Sequence, residues 1–151
     1  MRVSELSRYQ VVTVPRSADL TAAARLMREH HVGYLVVVEP GVPADAAVPV
    51  GVLTDRDLVV SVIASGADPN TLRVGDVMTP KPICVTEDDS IDSALDTMRL
   101  VGVRRLPVTG VGGTLTGVVS LDDIIDRLAA EFSSVAGSIR NEQRMERGLR
   151  P

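Results

Sequence analysis

Hydrophobic and polar positions along this chain fall into a pattern that occurs twice. Leu20, Ala23, Ala24 and Met27 recur at the i, i+3, i+4, i+7 spacing of an amphipathic helix, and Ile91, Ala94, Leu95 and Met98 repeat that stripe. Short apolar runs surround each stripe. Val11–Val14 and Ile83–Val85 precede the helices, Tyr34–Val38 and Arg105–Thr109 follow them, and Val50–Thr54 and Leu115–Ser120 come next. Runs of this length, rich in β-branched residues, predict strands. Asp19 and Ser90 stand where a helix N-cap belongs. Gly33 and Gly102 stand near the helix ends, where glycine suits a C-terminal cap. Each half therefore predicts β-α-β-β-α, an α/β (α+β) fold built from a duplication.

The duplication can be checked position by position. Val3 aligns with Val74, Leu20 with Ile91, Met27 with Met98, Leu35 with Leu106 and Val37 with Val108. Further on, Gly51 aligns with Gly117, Thr54 with Ser120 and Asp57 with Asp123, the offset having shortened because the first half carries a longer loop at Pro40–Ala47. Gly66–Leu72 reads as a linker, and Val74–Met78 as a short helix entering the second half, with Val3–Ser7 its counterpart in the first. Residues 1–72 and 73–132 are then two repeats. Residues 133–151 carry Arg140, Arg144, Arg147 and Arg150 against Glu142 and Glu146, with little apolar content after Ile139. They read as a helix extension fraying into a solvated tail.

The candidate chemistry lies in Gly51-Val-Leu-Thr-Asp-Arg-Asp-Leu58 and its copy Gly117-Val-Val-Ser-Leu-Asp-Asp-Ile124. Each predicts a strand ending in a hydroxyl, a turn into a helix, and an Asp three residues later. A hydroxyl and free backbone N–H groups at a helix start suit phosphate. A carboxylate one turn on can accept from ribose hydroxyls. Thr54 and Ser120 can equally act as plain N-caps. Arg56 lies inside the first turn, able to neutralise a phosphate or to pair with Asp55 or Asp57. The second copy has Asp122 there, so a site around Ser120 needs its positive charge from Arg104 and Arg105. Strand alternation sets Arg105 on one face with Pro107, and Arg104 on the other with Leu106 and Val108. Apolar residues near Val12–Val14 and Cys84–Thr86 would flank a base.

Composition narrows the function classes. An apolar fraction of 44% and a charged fraction of 24% fit a globular protein. A net charge of −4 and the absence of Trp, with two Tyr and one Phe, argue against nucleic acid. The single cysteine, Cys84, forms no internal disulfide, which points to a reducing cytoplasm. The start of the chain has no apolar core of a signal peptide, and no apolar run reaches membrane-span length. His30 and His31 are adjacent, diverge on a helix and have no companion ligands, so they suit a helix terminus better than a metal. Asp88-Asp89 and Asp122-Asp123 suit helix starts in the same way. No catalytic motif is present.

The order of elements and the quoted motifs resemble a cystathionine-β-synthase (CBS) domain pair, or Bateman module. The matches are Val77-Met-Thr-Pro80, Val103-Arg-Arg-Leu-Pro-Val108 and the two Gly-initiated turns, over roughly residues 1 to 132. The resemblance implies two halves packed about a pseudo-twofold axis, with two clefts between them and no enzymatic activity. It implies adenosine-containing ligands there, AMP, ADP, ATP or S-adenosylmethionine, as regulators rather than required cofactors. It implies Thr54 and Ser120 on phosphate, Asp57 and Asp123 on ribose, and Arg104 and Arg105 on phosphate. The first half has Gly33 and Tyr34 at the places of those two arginines. A homodimer and a regulated protein partner are also implied, and the alternative is a ligand-free dimerisation platform.

Overall fold

The computed structural model describes residues 1–41 and 46–148. Its elements are β1 (Thr13–Pro15), α1 (Leu20–His30), β2 (Tyr34–Pro40), β3 (Ala47–Thr54), α2 (Asp55–Asp57), α3 (Val74–Val77), β4 (Thr79–Pro80), β5 (Val85–Thr86), α4 (Ile91–Val101), β6 (Arg105–Thr109), β7 (Leu115–Ser120) and α5 (Leu121–Gly148). From α2 the chain continues as a π-helix over Leu58–Ile63. The strands form two sheets, in orders β1-β2-β3-β4 and β5-β6-β7. In both, the first pair is parallel and the next antiparallel. The second sheet gains an edge partner where Arg8 bridges Val118, the counterpart of Thr79 pairing with Val52. This is the mixed α/β tandem repeat read from the hydrophobic pattern.

The stripes on α1 and α4 bury Leu20, Ala23 and Met27, and Ile91, Ala94 and Met98. Asp19 accepts from Ala22 N at 2.7 Å, and Ser90 Oγ accepts from Ser93 N at 3.1 Å, so both N-caps form. The C-cap of α1 differs from expectation. His31, not Gly33, is the aligned partner of Gly102 and the residue that turns left-handed, at φ 53° against 75° for Gly102. Gly33 answers to a different constraint, because a Cβ there would collide with the Asp55 carboxylate.

Two cores form, and each includes a segment from the other end of the duplication. Val3 is fully buried in the second core beside Val85, Leu106 and Ile124. Val74 and Met78 are buried in the first beside Val14, Leu35 and Leu53. Backbone hydrogen bonds fix the exchange: Val3 N to Asp89 O at 2.9 Å, and Val74 N to Ala18 O at 2.9 Å. Sequence order alone assigns Val3–Ser7 to the first half and Val74–Met78 to the second. The structure crosses them. The crossing explains the glycines that open the two motif turns. A Cβ on Gly117 would lie 3.0 Å from Arg8 O, and one on Gly51 would meet the Met78 side chain.

Two further expectations are revised or bounded. The helix α5 is continuous to Gly148 and does not fray after Ile139. The long first-half loop is entered by β2 at Pro40 and left by β3 at Ala47, but its residues 42–45, like Arg150 in the tail, lie outside the described residues.

The two helix caps make a matched test. A left-handed L-residue is strained where Gly is not. Gly102→Ala should lose about 1 kcal/mol of unfolding free energy and His31→Gly should gain up to about 1 kcal/mol. Urea unfolding reads both.

Candidate functional site

Tyr34 and Arg105 occupy equivalent places in the two repeats, and they meet. The Arg105 guanidinium lies over the Tyr34 ring, 5.8 Å from its centroid, within range of a cation–π attraction. Tyr34 Oη is buried and makes no hydrogen bond to any described residue. Burial drives its phenol pKa far up, with Cys84 adding to the effect and Arg105 opposing it. Burial likewise raises the Cys84 thiol. On either side of this contact a cleft opens, and Gly33, Tyr34 and Arg105 line both.

The larger cleft, of about 670 Å³, is built around Thr54. That is within the range of a ligand pocket. Thr54 and Asp57 form a reciprocal capping box. Thr54 Oγ1 accepts from Asp57 N at 3.1 Å, and Thr54 N donates to Asp57 Oδ2 at 2.8 Å. The hydroxyl therefore caps its helix, and one oxygen of the carboxylate is committed to the backbone. Arg56, Lys81, Arg104 and Arg105 also line the cleft, against the carboxylates of Asp55 and Asp57. Arg56 makes no ion pair with any described residue. Pro82, Ile83 and Val103 supply an apolar wall.

The smaller cleft, of about 280 Å³, is built around Ser120. Ser120 is buried, accepts from Asp123 N at 3.1 Å and donates its hydroxyl proton to Asp123 Oδ2. The other oxygen of that carboxylate is taken by Arg8, whose Nε donates to Oδ1 at 2.9 Å and whose Nη2 donates to the same atom. Burial alone would raise the Asp123 pKa. The hydrogen bonds from Arg8 and Ser120, with the charges of Arg8 and Arg105, outweigh it and hold the carboxyl below its ordinary range. Asp123 in turn raises the Arg8 guanidinium. The apolar wall here is Val11 and Val12.

The structure thus brings Thr54, Arg56, Asp57, Arg104 and Arg105 to one cleft, and Ser120, Asp123 and Arg105 to the other. Three expectations change. Arg104 does not supply the Ser120 cleft; it lines the Thr54 cleft while its Nη2 donates to Asp122 at 2.7 Å. Arg8 is the cation at Asp123, and sequence reasoning missed it, as it missed Lys81. The apolar walls fall at Val11–Val12 and Pro82–Ile83, because Val14 and Val85 are spent in the cores. The repeat held a signal for the missed cation, since Arg8 aligns with Thr79 at an equivalent strand position. That position gained meaning only once the exchanged segments lay beside β3 and β7. Among the described residues, no three His, Cys, Asp or Glu side chains gather as a metal set, and no helix is long and apolar enough to cross a membrane.

The Arg8–Asp123 pair has a pH signature. A carboxyl with a depressed folded pKa contributes stability above its unfolded value, near 3.9, and loses it as pH falls through the folded pKa. The Asp123 carboxyl should therefore titrate below about 3.9 by NMR, and Arg8→Ala should move that midpoint up and shrink the stability that is lost as pH falls below the unfolded value. An Asp123 midpoint unmoved by Arg8→Ala would contradict the pairing.

Comparison with known proteins gives one answer. The CBS domain family model matches residues 3–63 and 74–130. The CBS domain-containing protein YhcV of Bacillus subtilis is 34% identical over 135 residues, 89% of this chain and 91% of that protein. An uncharacterized protein of Methanopyrus kandleri is 34% identical over 123 residues, 82% of this chain, and this match spans 60% of that longer protein. Among solved structures, a CBS domain protein from Pyrobaculum aerophilum complexed with AMP superposes with a TM-score of 0.70 at 26% identity, covering 82% of this chain and 89% of that one. With two copies of the domain matched in series and folded as two sheets, the chain belongs to the CBS domain family as a tandem pair.

Proposed function

We propose that this protein is a regulatory, non-catalytic module that binds a phosphorylated adenosine in the Thr54 cleft. The observation that carries the reading is the convergence of Arg56, Lys81, Arg104 and Arg105 on one ligand-sized cleft beside the helix start at Thr54. Even with Arg104 paired to Asp122, three further cations stand against two carboxylates and favour an anion, and the planar guanidinium suits phosphate oxygens. The oxygen of Asp57 that accepts from no described residue can accept from ribose, and Pro82, Ile83 and Val103 can flank a base. The AMP complex of the Pyrobaculum aerophilum relative supports the ligand class. In the Ser120 cleft the corresponding carboxylate is occupied by Arg8, so that cleft is the poorer host. S-adenosylmethionine, which carries a sulfonium charge and no phosphate, should bind the cationic cleft more weakly than AMP, ADP or ATP.

Occupancy between the repeats would change how the two sheets sit against each other, and through that a partner protein or a second copy of the chain. A second reading, an interaction platform, is favoured by the exposed apolar side chains along α5; the two readings are compatible.

Isothermal calorimetry with AMP, ADP, ATP and S-adenosylmethionine tests the proposal. One phosphorylated site per chain is expected. Asp57→Ala and Arg56→Ala should each weaken it at least about tenfold, the scale of one charge-assisted hydrogen bond. Asp123→Ala should change it less than about threefold. At ~100 times its dissociation constant the nucleotide should add about 2.7 kcal/mol to stability. No binding at millimolar nucleotide, or loss of binding in Asp123→Ala alone, overturns the reading.

A further inference from the structure

Lys81 stands at the apolar end of the Thr54 cleft, and three observations set it apart from the other cations there. The first is its place. β4 runs antiparallel to β3, with Thr79 paired to Val52, and Lys81 N donates to Val50 O at 3.1 Å. Val50 precedes Thr54 by four residues on β3, about 13 Å at the rise of a strand. Arg56 lies at the helix-start end of the cleft, and Lys81 lies at the other, directly before the Pro82–Ile83 wall. That separation is about the length of a nucleoside 5′-monophosphate, from phosphorus to the far edge of its base.

The second observation is its charge. Arg104 is paired with Asp122, and Arg105 lies over the Tyr34 ring. Lys81 makes no ion pair with any described residue. Asp55 and Asp57, the acidic residues of this cleft, belong to the Thr54 turn. The third is its backbone. Lys81 is left-handed, at φ 51°, where a Cβ is strained and glycine is not. Pro82 follows, and the residue before a proline is pushed towards extended conformations. His31, the other non-glycine residue at positive φ among the described residues, caps α1. Lys81 caps no helix. Backbone strain of this kind gathers at ligand clamps, and the group it carries here is an unpaired ammonium.

We infer that Lys81 reads the base of the bound nucleotide, its ammonium donating to a ring nitrogen on the purine edge. An ammonium is a donor only, and the unprotonated ring nitrogens of a purine are acceptors. Pro82 and Ile83 can cover the face of the base while Lys81 takes its edge. The inference rests on the Thr54 cleft being a nucleotide site. It divides the two unpaired cations of that cleft between the ends of one ligand, Arg56 to the phosphate and Lys81 to the base.

Two substitutions in the full chain test it. Lys81→Met removes the ammonium and keeps a side chain on the left-handed residue, whereas Lys81→Gly removes the side chain altogether. Calorimetry with AMP should show affinity reduced about tenfold in both, the scale of one charge-assisted hydrogen bond. Ribose 5-phosphate, which lacks the base, should bind Lys81→Met and the parent chain alike, as read from NMR line shapes. Without ligand, the urea midpoint should stay unchanged in Lys81→Met and rise in Lys81→Gly, so that stability and affinity move in opposite directions in the glycine variant. Equal weakening of AMP and ribose 5-phosphate would make Lys81 a phosphate ligand, overturning the inference and leaving the nucleotide site in place. AMP binding that needs Asp57 but not Lys81 has the same consequence. A parent chain that does not bind AMP overturns this inference and the nucleotide reading together.

Discussion

The reciprocal exchange of two short segments is the constraint on which the rest of the molecule depends. Val3 fills the second core and Val74 with Met78 fills the first, so neither repeat completes its own apolar interior. Burial of side chains that size is worth roughly 1.5–3 kcal/mol each, and losing one leaves a cavity as well. Two repeats that share their cores cannot drift apart. They are held with Tyr34 of one against Arg105 of the other, and that contact leaves a hollow on each side. The clefts follow from the exchange.

Duplication supplies the symmetry, and a few side chains break it. Thr54 and Ser120 sit at equivalent helix starts, yet Asp57 turns back to cap its own backbone while Asp123 is held by Arg8 and Ser120. The position that is Arg8 in one repeat is Thr79 in the other. The place taken by Arg56 in one turn is Asp122 in its copy. The outcome is one roomy cleft rich in cations and one small cleft whose acids and bases neutralise each other. The two copies of the turn thus build unlike sites through side chains that lie outside both cores.

Much of the fold was legible in the sequence because burial dictates periodicity. The stripes ending at Met27 and Met98, the caps Asp19 and Ser90, and strands β6 and β7 were all readable from local pattern. What pattern could not give was which core a short segment joins. Val3 and Val74 look alike from the sequence, and only packing sends each across to the other half. The cap at His31 was missed because glycine is the usual left-handed residue, and Gly33, two positions on, offered a false match. For the site, the motif turns identified the right helix starts, since hydroxyl and carboxylate spacing is local. Arg8 and Lys81 reach the clefts only through the exchange, so nothing local could have singled them out. The continuity of α5 was hidden because polar sequence after Ile139, with no apolar stripe, reads as a tail.

The central claim is that nucleotide phosphates belong beside Thr54 and not beside Ser120. Titrating adenine nucleotide into isotopically labelled protein and following backbone amide shifts tests it most directly. The account predicts the largest changes at Asp55, Arg56, Asp57, Lys81 and Arg104, with Arg8, Ser120 and Asp123 little moved. Shifts centred on Arg8 and Asp123, with the Thr54 turn unaffected, would contradict it.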